Sequence, residues 1–465
     1  MKLHRLLLTL FILISLVGCT NFGKPKLFER EKIYGTDGEA LSIFHRVAEK
    51  DGGLGLKFPG YLIGVEKAYR DKIGWHKDLE IINEEKFHGN DKYRKNVLKI
   101  LDDSKRTFVS HIVEYRLDPS KGYVKEDFFY NAYDKCFCPT EAYLKGLVAL
   151  DELRNRMFSD ETPYTHIFLY SMGWNTDQQE SLRNYNSLVS LMIKDKGEKP
   201  FRPLFIGISW PSEWRSQFLG GFVSVMSYST KADDADEVGI LWINKVLWNL
   251  LVPLKKERKI PLILVGHSFG ARIMTRAVFS CGLIDAPKIT GKSTGTFQKD
   301  EYDIDLVIGL QGAFSINRFI SGEGEEGSPY SEFYKDKYTK KFIFTWSKRD
   351  FANPIARFFT GASHVGGRYG HKRSLEFDKL FDQFTIEVKN DLTCSYDFDY
   401  DGIKEKQEWS QSFSRPEKIS IVNASNLIRN KPYGKGGNAH SDIYTPGIAR
   451  FIWDCIDNLK QSNGN

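Results

Sequence analysis

The segment that most constrains the fold is residues 261–279. It opens with the apolar run Pro-Leu-Ile-Leu-Val, breaks at Gly-His-Ser-Phe-Gly (266–270), and continues with apolar residues at helical spacing. The pattern predicts a buried strand, a sharp turn and a helix. The two glycines permit the close approach and the unusual backbone angles that such a reversal requires. We therefore expect Ser268 to lie at the tip of the turn, beyond the carboxyl end of the strand.

The predicted position of Ser268 suits a nucleophile. A helix that begins beside the serine offers unpaired backbone amides and the positive end of its dipole, and both stabilise negative charge on a nearby oxygen. Because Gly-x-Ser-x-Gly also occurs by chance in many chains, the motif alone does not identify an active site. The test is whether a base, an acid and an oxyanion loop follow other strands.

Length and charge limit the classes of function. The chain has 465 residues and a formal charge of +6 at pH 7. It is long enough for one large core and a second, small domain. The acidic and basic residues are interleaved, and so small an excess of positive charge does not indicate nucleic-acid binding. We expect no nucleic-acid partner.

The N-terminus has the pattern of a secretory signal. Basic residues precede an apolar run over residues 6–17, which ends in Leu-Val-Gly-Cys at 16–19. These last four residues resemble the bacterial lipobox, which implies cleavage before Cys19, lipidation of Cys19 and a membrane anchor in the cell envelope. By the same resemblance, Thr20 favours the outer membrane. An ordinary signal peptide or an uncleaved anchor is the alternative. No later segment reads as long and apolar enough to span a bilayer.

The rest of the chain predicts an α/β fold, with a mostly parallel twisted sheet and helices on both faces. Residues 20–158 are irregular and are expected to form a tether and an N-terminal elaboration, with the first strands of the sheet as an open alternative. After residue 159, short apolar runs alternate with helical stretches, which predicts parallel strands joined by right-handed crossovers. The predicted strands include 108–115, 166–170, 203–210, 304–310, 341–346 and 419–423, and the predicted helices include 140–156, 178–194 and 447–459.

The candidate acid is Asp350. In an open parallel sheet, ligands bind outside the carboxyl ends of the strands, so catalytic partners should follow strands and not precede them. Asp303 and Asp305 stand at the start of their strand, whereas Asp350 comes just past the end of the next one. Asp378 and Asp442 are the alternatives for this role.

The candidate base is His440. It lies in a glycine-rich loop after the last predicted strand, where it could fold back over the edge of the sheet. His440 would take the proton of Ser268, and Asp350 would fix the imidazole tautomer and stabilise its cationic form. His364 and His371 are the alternatives. His267, beside the serine, is expected to be a packing residue, because one base suffices.

Ser268, Asp350 and His440, in that chain order, resemble the α/β-hydrolase superfamily. The resemblance covers roughly residues 164–459 and makes 159–465 the hydrolase domain, after the signal at 1–19 and the elaboration. The Met-Gly-Trp-Asn loop at 172–175 and Ser-Trp-Pro-Ser at 209–212 are similar to an uncharacterised bacterial branch, in which the loop usually begins with histidine.

By that resemblance, the backbone amides of Trp174 and Phe269 form the oxyanion hole, although Trp174 would also serve to fill the loop core. Met172, which replaces the usual histidine, keeps the backbone donors and removes any role for the histidine side chain. The resemblance implies an ester hydrolase that needs no cofactor.

The expected activity is hydrolysis of a small-molecule or lipid ester through an acyl-enzyme. Fold and triad do not choose among carboxylic ester, thioester and amide. Acyl transfer to another acceptor and a catalytically silent envelope binding protein are the alternatives. An apolar stretch at 218–226 predicts either buried scaffold or a lid over the site.

The sequence predicts no metal site. Asp397, Asp399, Asp401 and Glu408 fit the spacing of an EF-hand calcium loop, but no partner hand is visible and the usual apolar residue is misplaced. Structural calcium there remains an alternative. The cysteines after Cys19 lack the second pair that zinc would need, and their disulfide pairing is left open.

Overall fold

The computed structural model describes the parts of the chain that build one large sheet and its covering helices. The described residues are 24–25, 56, 58–67, 81–82, 95, 97–98, 100, 107–118, 123–132, 139–174, 176, 178–196, 200–212, 214–215, 228–281, 283–285, 303–319, 329–330, 339–350, 364–367, 387–389, 397–399, 402–404, 419–425, 427–428 and 439–461. The signal segment, Cys19 and the stretch at 218–226 lie outside them.

Ten strands of the described part form one sheet. In chain order they are β1 (Gly60–Lys67), β2 (Thr107–Asp118), β3 (Tyr123–Asn131), β4 (His166–Ser171), β5 (Pro203–Ser209), β6 (Leu262–His267), β7 (Ile304–Leu310), β8 (Thr339–Trp346), β9 (Glu387–Lys389) and β10 (Ile419–Asn423). Across the sheet they run β9-β10-β8-β7-β6-β4-β5-β1-β2-β3.

The sheet is parallel from β9 to β1, and the β1–β2 and β2–β3 pairs at its other edge are antiparallel. The strand order reverses between β4 and β6: after β4 the chain moves to β5 on one side, and then returns to β6 on the other. Such a reversal opens a crevice at the carboxyl ends of the two strands. Ser171 pairs with Gly266 beside that crevice, so the loops after β4 and β6 are neighbours.

Helices cover both faces of the sheet, as the sequence predicts. One face carries α1 (Pro139–Ser159), a long helix that begins as α3 (Tyr228–Val238) and ends as α4 (Val252–Arg258), and α5 (Phe269–Phe279). The other carries α2 (Gln178–Asp195) and α6 (Pro446–Gln461). The expectation of an α/β fold with a mostly parallel sheet is confirmed.

Strands β1, β2 and β3 lie within residues 20–158, where the sequence predicts a tether and an N-terminal elaboration. They belong to the same sheet as the strands that follow residue 159, and β1 pairs in parallel with β5. The division at 158/159 is therefore not a boundary of the sheet. The alternative that this region supplies the first strands of the main sheet describes the observed topology.

The long helix over Lys231–Arg258 corrects the expectation that no later segment could span a membrane. By length and composition this helix could do so, but most of its apolar window is buried inside the protein. Two π-helical segments, Gly239–Ile243 and Val246–Leu251, interrupt it. An all-round apolar helix that packs inside a large domain passes the same test as a membrane span, and this one is a core helix.

A buried ionic cluster joins the long helix to α5. Asp236 is 1% exposed, and its carboxylate binds Arg272 at 2.7 Å, Arg276 at 3.1 Å and Arg318 at 2.8 Å. Burial alone would raise the pKa of Asp236, but the three guanidinium groups outweigh it and hold that pKa well below its usual range. The cluster fixes α5, the helix that follows Ser268.

We predict that Asp236→Asn lowers the free energy of unfolding by roughly 3–5 kcal/mol, because it leaves buried guanidinium groups without their counter-ion. Urea denaturation at pH 7 measures the loss. Glu141→Gln is the control, because it breaks the exposed Glu141–Lys145 pair and should change stability by under about 1 kcal/mol. Equal effects of the two substitutions would contradict a structural role for the cluster.

Candidate active site

Ser268 occupies the strained turn that the sequence predicts. Its backbone has φ 55° and ψ −118°, which is uncommon for a residue with a side chain. The residue lies between β6 and α5 and is 5% exposed. It makes no side-chain hydrogen bond that caps the helix, so its hydroxyl does not serve the structural purpose that serine usually has at a helix start.

The two glycines of the motif are required by close packing. A Cβ atom on Gly266 would lie 2.4 Å from the Ala271 amide nitrogen, and one on Gly270 would lie 2.0 Å from the Ser171 carbonyl oxygen. The first turn of α5 therefore folds directly over the end of β6 and against the end of β4. This approach aims the N-terminus of α5 at the crevice.

The loop after β4 lies against Ser268. A Cβ on Gly173 would come within 2.7 Å of the Ser268 Cβ. Buried side chains from beyond β5 hold this loop: Trp210 donates its indole N–H to the Met172 carbonyl at 2.8 Å, and the Ser212 hydroxyl donates to the Thr176 carbonyl at 2.6 Å. The loop that the resemblance assigns to the oxyanion hole is thus fixed beside the serine.

Two side chains of that loop point to packing partners. The Met172 sulfur accepts a hydrogen bond from the Tyr444 hydroxyl at 3.3 Å and is buried. The ring of Trp174 lies 6.4 Å from that of Phe269 and is partly exposed. The Met172 side chain thus turns toward Tyr444, just before α6, while the backbone of the loop lies against the serine.

Asp350 and His440 meet beyond the ends of β8 and β10. The His440 Nδ1 lies 2.7 Å from Asp350 Oδ2, and Asp350 is 0% exposed. Because an ionised carboxylate can only accept, Nδ1 carries the imidazole proton and Nε2 is left as the basic nitrogen. Residues 90 positions apart are brought together as the sequence predicts.

His267 positions the backbone of His440. Its Nε2 lies 2.8 Å from the His440 carbonyl oxygen, and the two rings are 5.0 Å apart. A carbonyl only accepts, so His267 carries its proton on Nε2. The expectation that His267 merely packs is incomplete, because this contact places His440 beside the residue that adjoins Ser268.

Gln311 is a site residue that the sequence reasoning missed. It follows β7 directly, and its side-chain amide donates to Asp350 Oδ2 at 2.9 Å. The rule that identified Asp350, that functional residues follow the carboxyl ends of strands, applies equally to Gln311. A glutamine amide neither titrates nor acts as a nucleophile, so its sequence position alone does not mark it as a site residue.

The rejected candidates lie elsewhere or outside the described residues. Asp305 accepts a hydrogen bond from the Leu262 amide and pairs with Lys255. These contacts lie at the amino ends of β6 and β7, at the opposite end of the strands from Ser268. His364 is buried in a bridge with Ser315. Asp442 follows His440 in the same short turn. His371 and Asp378 lie outside the described residues.

Within the described residues, no cluster of His, Cys, Asp and Glu side chains could hold a metal ion. The proposed EF-hand loop is described only as backbone, where Asp397–Asp399 pairs with Gly402–Lys404. Its carboxylates lie outside the described side chains, and so do three of the cysteines after Cys19.

Ser268 stands at the N-terminus of α5, and its neighbour His267 contacts the backbone of the residue that pairs with Asp350. Such an arrangement can move a proton from a hydroxyl to a ring nitrogen and can stabilise charge on a bound carbonyl oxygen.

No protein-family model and no curated protein sequence matches this chain. Two solved structures resemble it weakly. TT1662 from Thermus thermophilus is 12% identical over 64% of this chain and 89% of its own, with a TM-score of 0.26. The catalytic core domain of acetyl xylan esterase from Trichoderma reesei is 13% identical over 64% and 98%, with a TM-score of 0.23. Similarities this low say nothing about the activity of this chain.

We predict a pH dependence of stability from His267. Burial, with a smaller contribution from the neighbouring His440, lowers the pKa of His267 from an ordinary value of 6.5 to about 3. Between these values the unfolded chain binds the extra proton, so stability is lost as the pH falls below 6.5. His267 should account for about 2 kcal/mol of the loss between pH 7 and pH 5.

The measurement is urea unfolding of wild type and His267→Gln at pH 7 and pH 5. Glutamine can still donate to the His440 carbonyl but does not titrate, so the variant should lose less stability on acidification. His111→Gln is a parallel case and should also lose less stability on acidification, since burial lowers the pKa of His111 to about 3 at a site on β2. An unchanged pH dependence in His267→Gln would contradict the account.

Proposed function

We propose that this protein is a serine hydrolase that cleaves carboxylic esters through an acyl-enzyme. The observation that carries the proposal is the geometry beyond the carboxyl ends of β6, β8 and β10. Ser268 stands in a strained turn at the N-terminus of α5, and His440 is hydrogen-bonded to the buried Asp350 at 2.7 Å. A strained backbone beside a buried carboxylate–imidazole pair is typical of catalytic sites.

In the proposed mechanism, His440 Nε2 accepts the hydroxyl proton of Ser268 as the serine oxygen attacks the ester carbonyl carbon. The carbonyl oxygen becomes an oxyanion, which accepts hydrogen bonds from the amides of Phe269 and Trp174. His440 then gives its proton to the leaving alcohol as the C–O bond breaks. A water molecule, deprotonated by His440, attacks the acyl-enzyme and regenerates Ser268.

Asp350 supports both half-reactions. Its carboxylate holds the Nδ1 proton of His440, so that Nε2 faces the reaction, and it stabilises the imidazolium that forms in each step. The complete burial of Asp350 keeps water from competing for that proton. The substrate class proposed is a small-molecule or lipid ester, and the reaction needs no cofactor.

We predict that a fluorophosphonate probe labels the wild-type protein and not Ser268→Ala, because only an activated serine reacts with it. Mass spectrometry should locate the label on the peptide that contains Ser268. Ser159→Ala, which removes an exposed serine at the end of α1, is the control and should label normally. No labelling of wild type would favour the alternative of a catalytically silent binding protein.

We predict that Asp350→Asn lowers kcat for a reporter ester by roughly ten-thousandfold, as in triads where the wrong imidazole tautomer is stabilised. Asn has the shape of Asp but donates an N–H toward Nδ1. Circular dichroism should show a folded protein. Activity within about tenfold of wild type would remove Asp350 from the proposed triad.

We also propose that the mature protein is anchored in the bacterial envelope by lipid on Cys19. The lipobox-like sequence supports this proposal. In a bacterial host fed labelled palmitate, wild type should carry the label and sediment with membranes, whereas Cys19→Ser should do neither. Cys455→Ala, which alters a buried cysteine, is the control. Label that persists in Cys19→Ser would refute the anchor.

A further inference from the structure

Gln311 adopts a backbone conformation that glutamine seldom takes. Its φ is 51°, in the left-handed region, and its side chain is completely buried. Left-handed geometry disfavours a residue with a Cβ atom, and it persists where the surrounding contacts impose it. In the part of the chain that the structure describes, only Lys259, Ser268 and Gln311 share this feature among residues other than glycine. Two of the three therefore lie at the candidate active site.

The hydrogen bonds of Gln311 fix the orientation of its amide. The Nε2 group donates to Asp350 Oδ2 at 2.9 Å and to the Gly366 carbonyl at 3.1 Å. The Oε1 atom accepts from the Thr345 hydroxyl at 3.2 Å, and the Gln311 backbone N–H donates to the same hydroxyl at 3.1 Å. A flipped amide would face two acceptors with its oxygen, so only this orientation satisfies the group.

Close packing also fixes the backbone of Gln311. A Cβ on Gly366 would lie 2.2 Å from the Gln311 carbonyl carbon, and the Gly366 amide donates to the Gly312 carbonyl at 2.9 Å. The turn at 364–367 therefore presses on the residue that holds Asp350. Gln311 has little freedom to move away from the carboxylate.

One carboxylate oxygen receives both donors. Asp350 Oδ2 accepts from His440 Nδ1 at 2.7 Å and from Gln311 Nε2 at 2.9 Å. Two donors on one oxygen fix the rotation of the carboxylate and thereby the direction in which it holds the imidazole. Each donor also stabilises the ionised form of the carboxylate.

We propose that Gln311 is a positioning residue that orients Asp350 and reduces the proton affinity of the Asp350–His440 pair. This inference rests on the proposed hydrolase function. Gln311 touches neither substrate nor Ser268 in this role and acts through the carboxylate alone.

The expected sign of the effect follows from where the Gln311 hydrogen bond is strongest. When His440 is neutral, only hydrogen-bond donors stabilise the negative charge of Asp350. When His440 is protonated, the imidazolium neutralises much of that charge, and the hydrogen bond from Gln311 is weaker. The amide therefore stabilises the neutral-histidine form more. Removal of the amide should shift the acid limb of kcat/KM to higher pH, because that limb reports the pKa of the free enzyme's base.

Other charged groups surround the pair and stay the same in every variant. Within the described residues, the elements that pack against Asp350 and His440 contribute these titratable or charged side chains: His267 at the end of β6, His364 in the turn at 364–367, Lys348 and Arg349 after β8, and Asp442 after His440. A shift between wild type and a Gln311 variant isolates the amide from all of these.

The experiment compares the pH profile of kcat/KM, from pH 5 to 9, in wild type, Gln311→Met and Gln311→Glu. Gln311→Met keeps the length of the side chain and removes the amide. We expect kcat to fall roughly ten- to a hundredfold and the acid limb to rise by about 0.5–1 pH unit, the effect of one hydrogen bond to a charged group. Gln311→Glu places a second carboxylate at Asp350 and should raise the acid limb further.

Asn244→Leu is the matched control. Asn244 is another buried amide, whose Nδ2 donates to the Ala277 carbonyl at 3.0 Å, at the far end of α5 from Ser268. Its substitution should lower stability and leave the acid limb in place. An acid limb that moves in Asn244→Leu as much as in Gln311→Met would overturn the proposal, because loss of any buried amide would then suffice.

A second measurement does not depend on activity. The proton that His440 Nδ1 shares with Asp350 should give a low-field proton NMR signal in wild type, and this signal should change position or broaden in both Gln311 variants. If Gln311→Met does not fold, Gln311→Glu, which has the shape of glutamine, decides. An unshifted acid limb and an unchanged signal in a folded variant would overturn the proposal.

The two proposals fail in different ways. Wild type that shows the low-field signal, but has no esterase activity that depends on Ser268, would refute the hydrolase and the catalytic part of the Gln311 inference together. Active wild type with a Gln311→Met profile that superimposes on its own would refute Gln311 and leave the hydrolase standing.

Discussion

Complete burial of the Asp350 carboxylate is the constraint on which the site depends. A charge removed from water must be met by donors, because an isolated buried carboxylate would neutralise itself. Here the donors are His440 from the loop after β10 and Gln311 from the end of β7. The carboxylate thus ties three separate parts of the chain to one edge of the sheet and fixes which imidazole nitrogen carries a proton.

Ser268 is placed by an independent set of contacts. Helix α5 folds back over Gly266 and against Ser171, and its outer side is held to the long helix by the buried Asp236 and its arginines. His267 connects the two halves, since it belongs to β6 and donates to the carbonyl of His440. In the proposed mechanism this contact would hold the acid–base pair beside the serine turn, as in preorganised sites.

The sequence was most informative where local pattern and function coincide. The strand–turn–helix around Ser268 and the α/β class follow from periodicity and glycine placement, and the rule about carboxyl ends of strands selected Asp350 over Asp305. It could not predict Asp236, whose partners are distant in sequence, nor Gln311, whose conformation is imposed by Gly366. The strand at 108–115 was predicted, but its antiparallel pairing with β1 and β3 was not, because strand pairing is decided by tertiary structure.

The apolar helix over Lys231–Arg258 shows the opposite limit. Its composition satisfies a membrane-span test, yet most of its apolar window is buried inside the protein and belongs to one hydrophobic core. An apolar composition indicates that a segment is removed from water. It does not distinguish burial in a protein core from burial in a lipid bilayer. The buried charges that begin this helix, Asp234, Asp236 and Glu237 among them, are tolerated because they are paired inside the fold.

The most direct test is a crystal structure of the protein after reaction with a phosphonate ester. The account predicts a phosphorus–oxygen bond to Ser268, a phosphoryl oxygen between the amides of Phe269 and Trp174, and His440 Nε2 within hydrogen-bond distance of the serine oxygen. A probe attached to another residue, or a His440 ring turned away from the adduct, would contradict it.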